Sequence, residues 1–239
     1  MIQIVKVRNR EEGQEKAHGI LKRLVDEKTL LALSGGTSVD YLKMLVKPAD
    51  ALPGAICVVD ERFGKPFHKD SNELLLKNQK VKEFADEKCI ESHKILKGLE
   101  FLQTAKNYNN EIKDLLNRFK KRVGVMGIGK DLHTAGIFPK SLAAHSADYV
   151  VAEEVKDKRS LRSSPAMRDA GLEFPKRISL TFKALGEFTS FVILIFGQEK
   201  KETLRILLDG GVNDMQKYPA IFYRKAAVQS YLITDISIK

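Results

Sequence analysis

The feature that most constrains this chain is the alternation of short apolar runs with longer stretches of helical periodicity. Apolar runs at residues 2–7, 29–33, 55–59, 122–126, 149–152, 177–182, 190–196 and 228–234 read as strands. Residues 11–28, 39–46, 99–121 and 198–208 read as helices. In the longest of these, Leu102, Ala105, Tyr108, Ile112, Leu115 and Phe119 recur at spacings of three and four, which gathers them on one face. Strands that alternate with helices are joined by crossovers, so the expected class is α/β. The specific expectation is a single-domain, Rossmann-like, mostly parallel sheet with helices on both faces. A chain of 239 residues can bury one substantial core, and that domain is expected to span residues 1–239. The polar, basic stretch 153–175 carries two prolines and a glycine and is expected to be an exposed excursion from it.

Composition narrows the function classes. Hydrophobic residues make up 43% and charged residues 30%, which excludes a disordered chain. No apolar run approaches the roughly 20 residues of a membrane span. The N-terminus reads as an edge strand without a signal-peptide core, and the cytoplasm is the expected compartment. Cys57 and Cys89 are too far apart for a metal framework, and Cys57 sits in an apolar run as a small buried hydrophobe. The formal charge of +10 suits either nucleic acid or a phosphorylated metabolite. The cations are spread along the chain, with a local excess only at 156–162, and no nucleic-acid-binding signature is present. Neither a nucleic-acid nor a membrane partner is therefore expected.

Chemistry concentrates where strands end. Ser34-Gly35-Gly36-Thr37-Ser38 lies between a strand and a helix, where N–H groups and hydroxyls can converge on an anion. The competing reading is a plain turn with Thr37 or Ser38 as N-cap. No Gly-Lys-Ser/Thr closes the loop, so it is not a Walker A motif. Asp60-Glu61-Arg62 comes after another strand, and for Glu61 surface ion pairing is the favoured reading. Downstream, residues 68–72 can start a helix, with Asp70 or Ser71 as N-cap. Gly127-x-Gly129 lacks the third glycine of a dinucleotide fingerprint, because position 132 is Leu. Asp131 and His133 come directly after these glycines, a carboxylate able to orient an imidazole that accepts a proton near neutral pH. Arg177 and Lys200 each sit beside a strand with no acid in register, where either could donate charge-assisted hydrogen bonds to a phosphate.

In this order the blocks resemble the 6-phosphogluconolactonase family, within the superfamily that includes glucosamine-6-phosphate deaminases. Residues 34–38 resemble its Ser-Gly-Gly-Ser/Thr loop. Asp60-Glu61-Arg62 with His68 and Asp70-Ser71-Asn72 resembles its Asp-Glu-Arg…His…Asp-Ser-Asn block. Residues 127–139 are similar to Gly-x-Gly-x-Asp-Gly-His-Thr-Ala-Ser-Leu-Phe-Pro, residues 177–181 to Arg-Ile-Thr-Leu-Thr, and residues 197–200 to Gly-x-x-Lys. Two features separate the chain from the deaminases: Arg62 stands where they have tyrosine, and Ile137-Phe138-Pro139 stands where they have Asn-Glu-Pro. Gly64 and Pro66 lean the other way, toward the deaminase Gly-x-Pro.

The resemblance implies hydrolysis of a sugar-phosphate lactone in the oxidative pentose phosphate pathway, without metal or organic cofactor, by a monomer or small homo-oligomer. His133 would be the general base and Asp131 its orienting carboxylate, with Arg62 near the developing negative charge. Asp60, Arg177, Lys200 and Ser34, Gly35, Gly36, Thr37 and Ser38 would bind the substrate and its phosphate. The alternatives are an amino-sugar-phosphate deaminase with Asp60 as the proton-shuttling base, and a non-catalytic sugar-phosphate-binding homologue. The chain departs from the pattern at Leu132, where the family has glycine. If that glycine serves a positive φ, leucine is strained there. If it serves to leave room, leucine crowds the substrate; the remaining alternative is a turn that accepts leucine unchanged. The change to Ala135-Gly136 after the histidine is minor, and the 153–175 stretch is longer and more basic than the family's connection.

Overall fold

The computed structural model describes residues 1–155 and 174–237. The basic 156–162 segment and most of the expected 153–175 excursion lie outside the described residues. Seven strands form the main sheet: β1 (Ile2–Lys6), β2 (Thr29–Leu33), β3 (Ala55–Val58), β5 (Glu91–His93), β6 (Lys121–Gly127), β9 (Ser190–Ile195) and β10 (Gln229–Thr234). Their order is β1-β10-β9-β6-β2-β3-β5, and every pairing is parallel. All residues of β2 and β9 are buried, so both faces of the sheet are covered at these strands. Cys57 is buried within β3, as its apolar surroundings indicate.

The order of the strands locates a site before any side chain is considered. From β2 the chain steps outward to β3 and β5, then returns to lay β6 on the other side of β2 and continues through β9 and β10. Connections therefore diverge between β2 and β6, and a crevice opens there beyond the carboxyl ends of the strands. The loops leaving β2 and β6 are the two that carry the glycine-rich motifs.

Among the described residues, three strands lie outside this sheet. β4 (Asp60–Arg62), β7 (Val150–Glu154) and β8 (Lys176–Leu180) form a small antiparallel sheet in the order β4-β8-β7. Residues 149–152 and 177–182, read as strands from their apolar runs, thus pair with each other outside the parallel sheet. β4 begins two residues after β3 ends, so the strand leaving the main sheet is captured by β8 instead of turning back. Val59 marks the handover: its N–H donates to Leu33 of the main sheet, and its carbonyl accepts from Leu180 of the small one.

Capping and apolar stripes account for the helices. In α1 (Arg10–Leu24), Asn9 caps the start, Glu11 and Glu12 occupy the first turn, and Lys22 and Arg23 the last. α4 (Phe101–Arg118) buries Ala105, Tyr108, Ile112 and Leu115 as the spacing requires. Leu102, counted with that stripe, is instead 72% exposed. The Tyr108 hydroxyl donates to the Val58 carbonyl at 2.6 Å and accepts from the Val58 N–H at 2.9 Å, joining α4 to β3. Ser71 caps α2 (Asn72–Asn78) by accepting from Leu74 N–H; α3 (Val81–Glu87) comes next. Among the described residues, α5 (Phe182–Gly186), α6 (Lys201–Leu208) and α7 (Phe222–Lys225) complete the α-helices. Among the described residues no helix is long and apolar enough to cross a membrane.

Candidate functional site

The loop leaving β2 is shaped by its neighbours. Ser34 and Ser38 are buried, and the buried Tyr41 hydroxyl donates to the Ser34 carbonyl at 2.6 Å. Gln14 of α1, also buried, donates to the Ser38 carbonyl at 2.9 Å and accepts from Asp40 N–H. A Cβ at Gly35 would lie 1.9 Å from Asn72 Oδ1, so only glycine lets the loop approach that amide. Neither Thr37 nor Ser38 is an N-cap; Asp40 accepts the Lys43 N–H instead. The helix after it is one turn, Leu42–Val46, too short to lend the loop a substantial dipole. A cation also reaches the loop. That cation is Lys200, whose Nζ donates to Ile128 O at 2.8 Å and to Ser38 Oγ at 3.4 Å. Burial, foremost, lowers its pKa from the usual lysine value.

β4 divides its side chains between two faces, as a strand must. Glu61, between Asp60 and Arg62, is fully buried. Its carboxylate accepts three backbone N–H bonds, from Arg62 at 2.7 Å, Asn72 at 2.8 Å and Glu73 at 2.9 Å. The surface ion pair expected for Glu61 is thus overturned: the residue clamps β4 to the first turn of α2. Burial pushes its pKa up to about 8, and the three N–H donors only partly oppose this. On the other face, Arg62 Nη1 donates to Asn72 Oδ1, and Asn72 Nδ2 donates to the Asp60 carbonyl at 2.7 Å. Burial raises the Asp60 carboxyl, while Arg62, Arg177 and His133 pull it down. Asp60 therefore shares a local field with the imidazole and both guanidiniums.

Arg177 on β8 pairs in register with Arg62, so two guanidiniums face each other. Arg177 is 8% exposed, and among the described residues its Nε and Nη1 have no hydrogen-bond partner. Burial first, and Arg62 second, lower its pKa to about 10. The expectation of no acid in register is corrected by Glu153 of β7, which pairs with Arg177 on the other side. The Glu153 carboxylate is engaged by Leu142 N–H at 2.9 Å.

The loop leaving β6 carries the acid and the imidazole. His133 Nδ1 lies 2.5 Å from Asp131 Oδ1, and the same oxygen accepts the His133 backbone N–H at 3.1 Å. An ionised carboxylate only accepts, so Nδ1 holds the proton and Nε2 presents a lone pair. Burial pushes Asp131 up, but the hydrogen bonds and charge of His133 outweigh it and leave the carboxyl below its usual value. The imidazole stacks on Phe138 with ring centroids 4.7 Å apart. Gly129 lies beneath the pair: a Cβ there would be 2.1 Å from His133 Cε1. Leu132 has φ +61°, the left-handed conformation, and is 2% exposed within the hydrophobic core. Its side chain is thus in the core and does not crowd the cleft.

These contacts bring the expected residues together. Gly35 abuts Asn72, Asn72 holds Arg62, and Arg62 faces Arg177, while Ser38 at the other end of the loop meets Lys200. Among the described residues no hydrogen bond joins Arg177 to Lys200 directly. Sequence reasoning assigned no role to Asn72, Gln14, Tyr41 or Tyr223. The Tyr223 hydroxyl lies 2.6 Å from Thr134 Oγ1 and is buried beside the histidine loop. Only Asn72 stood within a motif; the others come from distant segments that carry no local signal. Among the described residues no group of three or more His, Cys, Asp or Glu is placed to hold a metal ion.

Fold and site together define an α/β protein with a cationic, histidine-bearing crevice at the switch point of a parallel sheet. A family model described as glucosamine-6-phosphate isomerases/6-phosphogluconolactonase matches residues 11–232, and the chain belongs to that family. A 6-phosphogluconolactonase of Xylella fastidiosa is 28% identical over 195 residues, covering 79% of this chain and 74% of that protein. Among solved structures, 6-phosphogluconolactonase from Thermotoga maritima is 21% identical, with a TM-score of 0.69 over 98% of this chain and 99% of that one. A monomeric glucosamine-6-phosphate deaminase is 18% identical, with a TM-score of 0.77 over 97% of each chain. At such identities the likeness speaks for the fold, which lactonase and deaminase share.

Proposed function

We propose that this protein hydrolyses 6-phosphoglucono-1,5-lactone to 6-phosphogluconate, the lactone-opening step of the oxidative pentose phosphate pathway. The observation that carries the reading is the His133–Asp131 pair, with Nδ1 held by a carboxylate and the imidazole near enough to act on the Asp60 carboxyl alongside Arg62 and Arg177. In this mechanism Nε2 takes a proton from water as its oxygen attacks the lactone carbonyl carbon. The carbonyl oxygen gains negative charge near Arg62. Collapse of the tetrahedral intermediate breaks the bond to the ring oxygen, which receives the proton from the imidazolium. General base catalysis of this kind contributes about 10²–10⁴-fold, and a positioned donor to the oxyanion about 3 kcal/mol.

The 6-phosphate is assigned to the 34–38 loop between Lys200 on the Ser38 side and Arg177 on the Gly35 side. Lactonase relatives support this choice, as does Phe138 in a position where a deaminase carries a carboxylate. The burial-raised carboxyl of Asp60, together with Gly64 and Pro66, favours the second reading, a deaminase in which Asp60 shuttles protons. The reading also takes residues 1–239 as one domain, acting as a monomer or small homo-oligomer in the cytoplasm.

The test is to generate 6-phosphogluconolactone in situ and follow its loss against spontaneous hydrolysis, with glucosamine 6-phosphate and ammonia detection in parallel. Lactone loss at the spontaneous rate would sink the reading. Ammonia release would replace it with the second.

A further inference from the structure

We propose that Leu132 is a positioning residue, whose buried side chain and left-handed backbone hold Asp131 and His133 in hydrogen-bonding register. The role in catalysis rests on the lactonase reading; the structural role does not. Asp131 Oδ1 accepts both the N–H and the Nδ1–H of His133, closing two rings across residue 132. The dihedrals of that one residue therefore set where the imidazole stands relative to its carboxylate.

Leucine disfavours φ +61° because its Cβ approaches the following backbone. Such a conformation persists only where its surroundings over-determine it. Here they do so three times. The side chain is 2% exposed in the hydrophobic core. The Leu132 N–H donates to Gly129 O at 3.0 Å, and its carbonyl accepts from Ala220 N–H at 2.8 Å. Two residues on, Thr134 Oγ1 meets Tyr223 OH, so the turn is tied at two points to the 220–223 segment. A glycine would adopt the same φ without strain but would leave the turn without its apolar anchor. The side chain supplies rigidity where glycine supplies only permission.

The experiment compares Leu132→Gly, Leu132→Ala and Leu132→Met with the parent. It measures lactone kcat and KM, and the proton NMR signal of the His133 Nδ1–H in 15N-histidine-labelled protein. In Leu132→Gly, kcat falls about tenfold with KM within about twofold, the mark of lost alignment without lost binding. The Nδ1–H signal broadens through exchange. Leu132→Met, which refills the core, restores both to near the parent. Leu132→Ala falls between and supplies the comparison should the glycine variant not fold. A sharp, unshifted Nδ1–H signal in Leu132→Gly or Leu132→Ala, with kcat equal to or above the parent's, overturns the proposal. Should the parent show no lactone turnover, the lactonase reading fails, and the NMR signal alone decides whether Leu132 positions the pair.

Discussion

Arg62 and Arg177 occupy facing positions on β4 and β8, so two guanidiniums meet across an antiparallel pair. Like charges directly opposite destabilise a sheet, and the burial of Arg177 deepens that cost. Asp60 and Asp70 offset it through their fields, yet among the described residues Nε and Nη1 of Arg177 are left without acceptors. An anion on these groups would relieve the repulsion and complete their hydrogen bonding.

Inorganic phosphate or 6-phosphogluconate is therefore expected to stabilise the protein through Arg177. At 100 times Kd the parent gains about 2.7 kcal/mol by linkage, whereas Arg177→Met at the same ligand concentration gains about 1 kcal/mol or less. Without ligand the variant unfolds at or above the parental temperature, because a buried like-charge contact is gone. Thermal unfolding with and without ligand checks both statements; equal ligand shifts in the two proteins would refute the assignment.

Lys200 bridges the loops after β2 and β6 through Ser38 Oγ and Ile128 O. Lys200→Met is expected to raise KM about tenfold or more, with no larger effect on kcat, because phosphate binding chiefly supplies orientation. Initial-rate kinetics over a range of lactone concentrations separate the two parameters. A fall in kcat with KM unchanged would move Lys200 from the phosphate to the chemical step.

Replacing His133 with alanine is expected to lower kcat by about 10²-fold or more. Gly129→Ala should approach that loss while removing no functional group, since the new Cβ would lie within 2.2 Å of His133 Nδ1. Single-turnover rates measure both. Parental turnover in Gly129→Ala would mean that the pair need not sit over a bare backbone.

Glu61 predicts a pH dependence of stability. It titrates near pH 8 in the folded protein against an ordinary 4.5. Between these values the folded state holds a proton that the unfolded chain has released, so stability falls as pH rises through the window. The parent should lose stability relative to Glu61→Gln between about pH 4.5 and 8 in urea titrations; a constant difference across that range counts against a buried, proton-holding Glu61. Glu61→Ala leaves three buried N–H groups without an acceptor and should cost about 3 kcal/mol or more at any pH.

Apolar runs were enough to read β2 and β9, buried along their whole length, and the buried middle of β6, because a strand covered on both faces is a continuous apolar run whatever surrounds it. The same logic missed β5, whose Glu91-Ser92-His93 forms a polar edge strand with no apolar signature. Nor could it show that β7 and β8 pair outside the main sheet, since a strand's composition does not name its partner. Ser71 was legible as an N-cap from local chemistry, but Thr37 and Ser38 were not caps: Asp40 accepts the Lys43 N–H instead, in a loop that Gln14 holds from more than twenty residues away.

At the site, the residue types and their order along the chain were determined by the sequence: a glycine-rich loop, an acid one residue from an imidazole, and arginine and lysine beside later strands. Local rules suffice there, because a strand end followed by glycines and a titratable pair is a short-range pattern. Tertiary structure alone decided which charges are buried and what each one faces. Glu61 turned inward to three N–H groups, Arg62 met Arg177, and Leu132 entered the core with a positive φ. Each outcome depends on desolvation and on contacts between segments far apart in the chain, and neither quantity is carried by a residue's immediate neighbours.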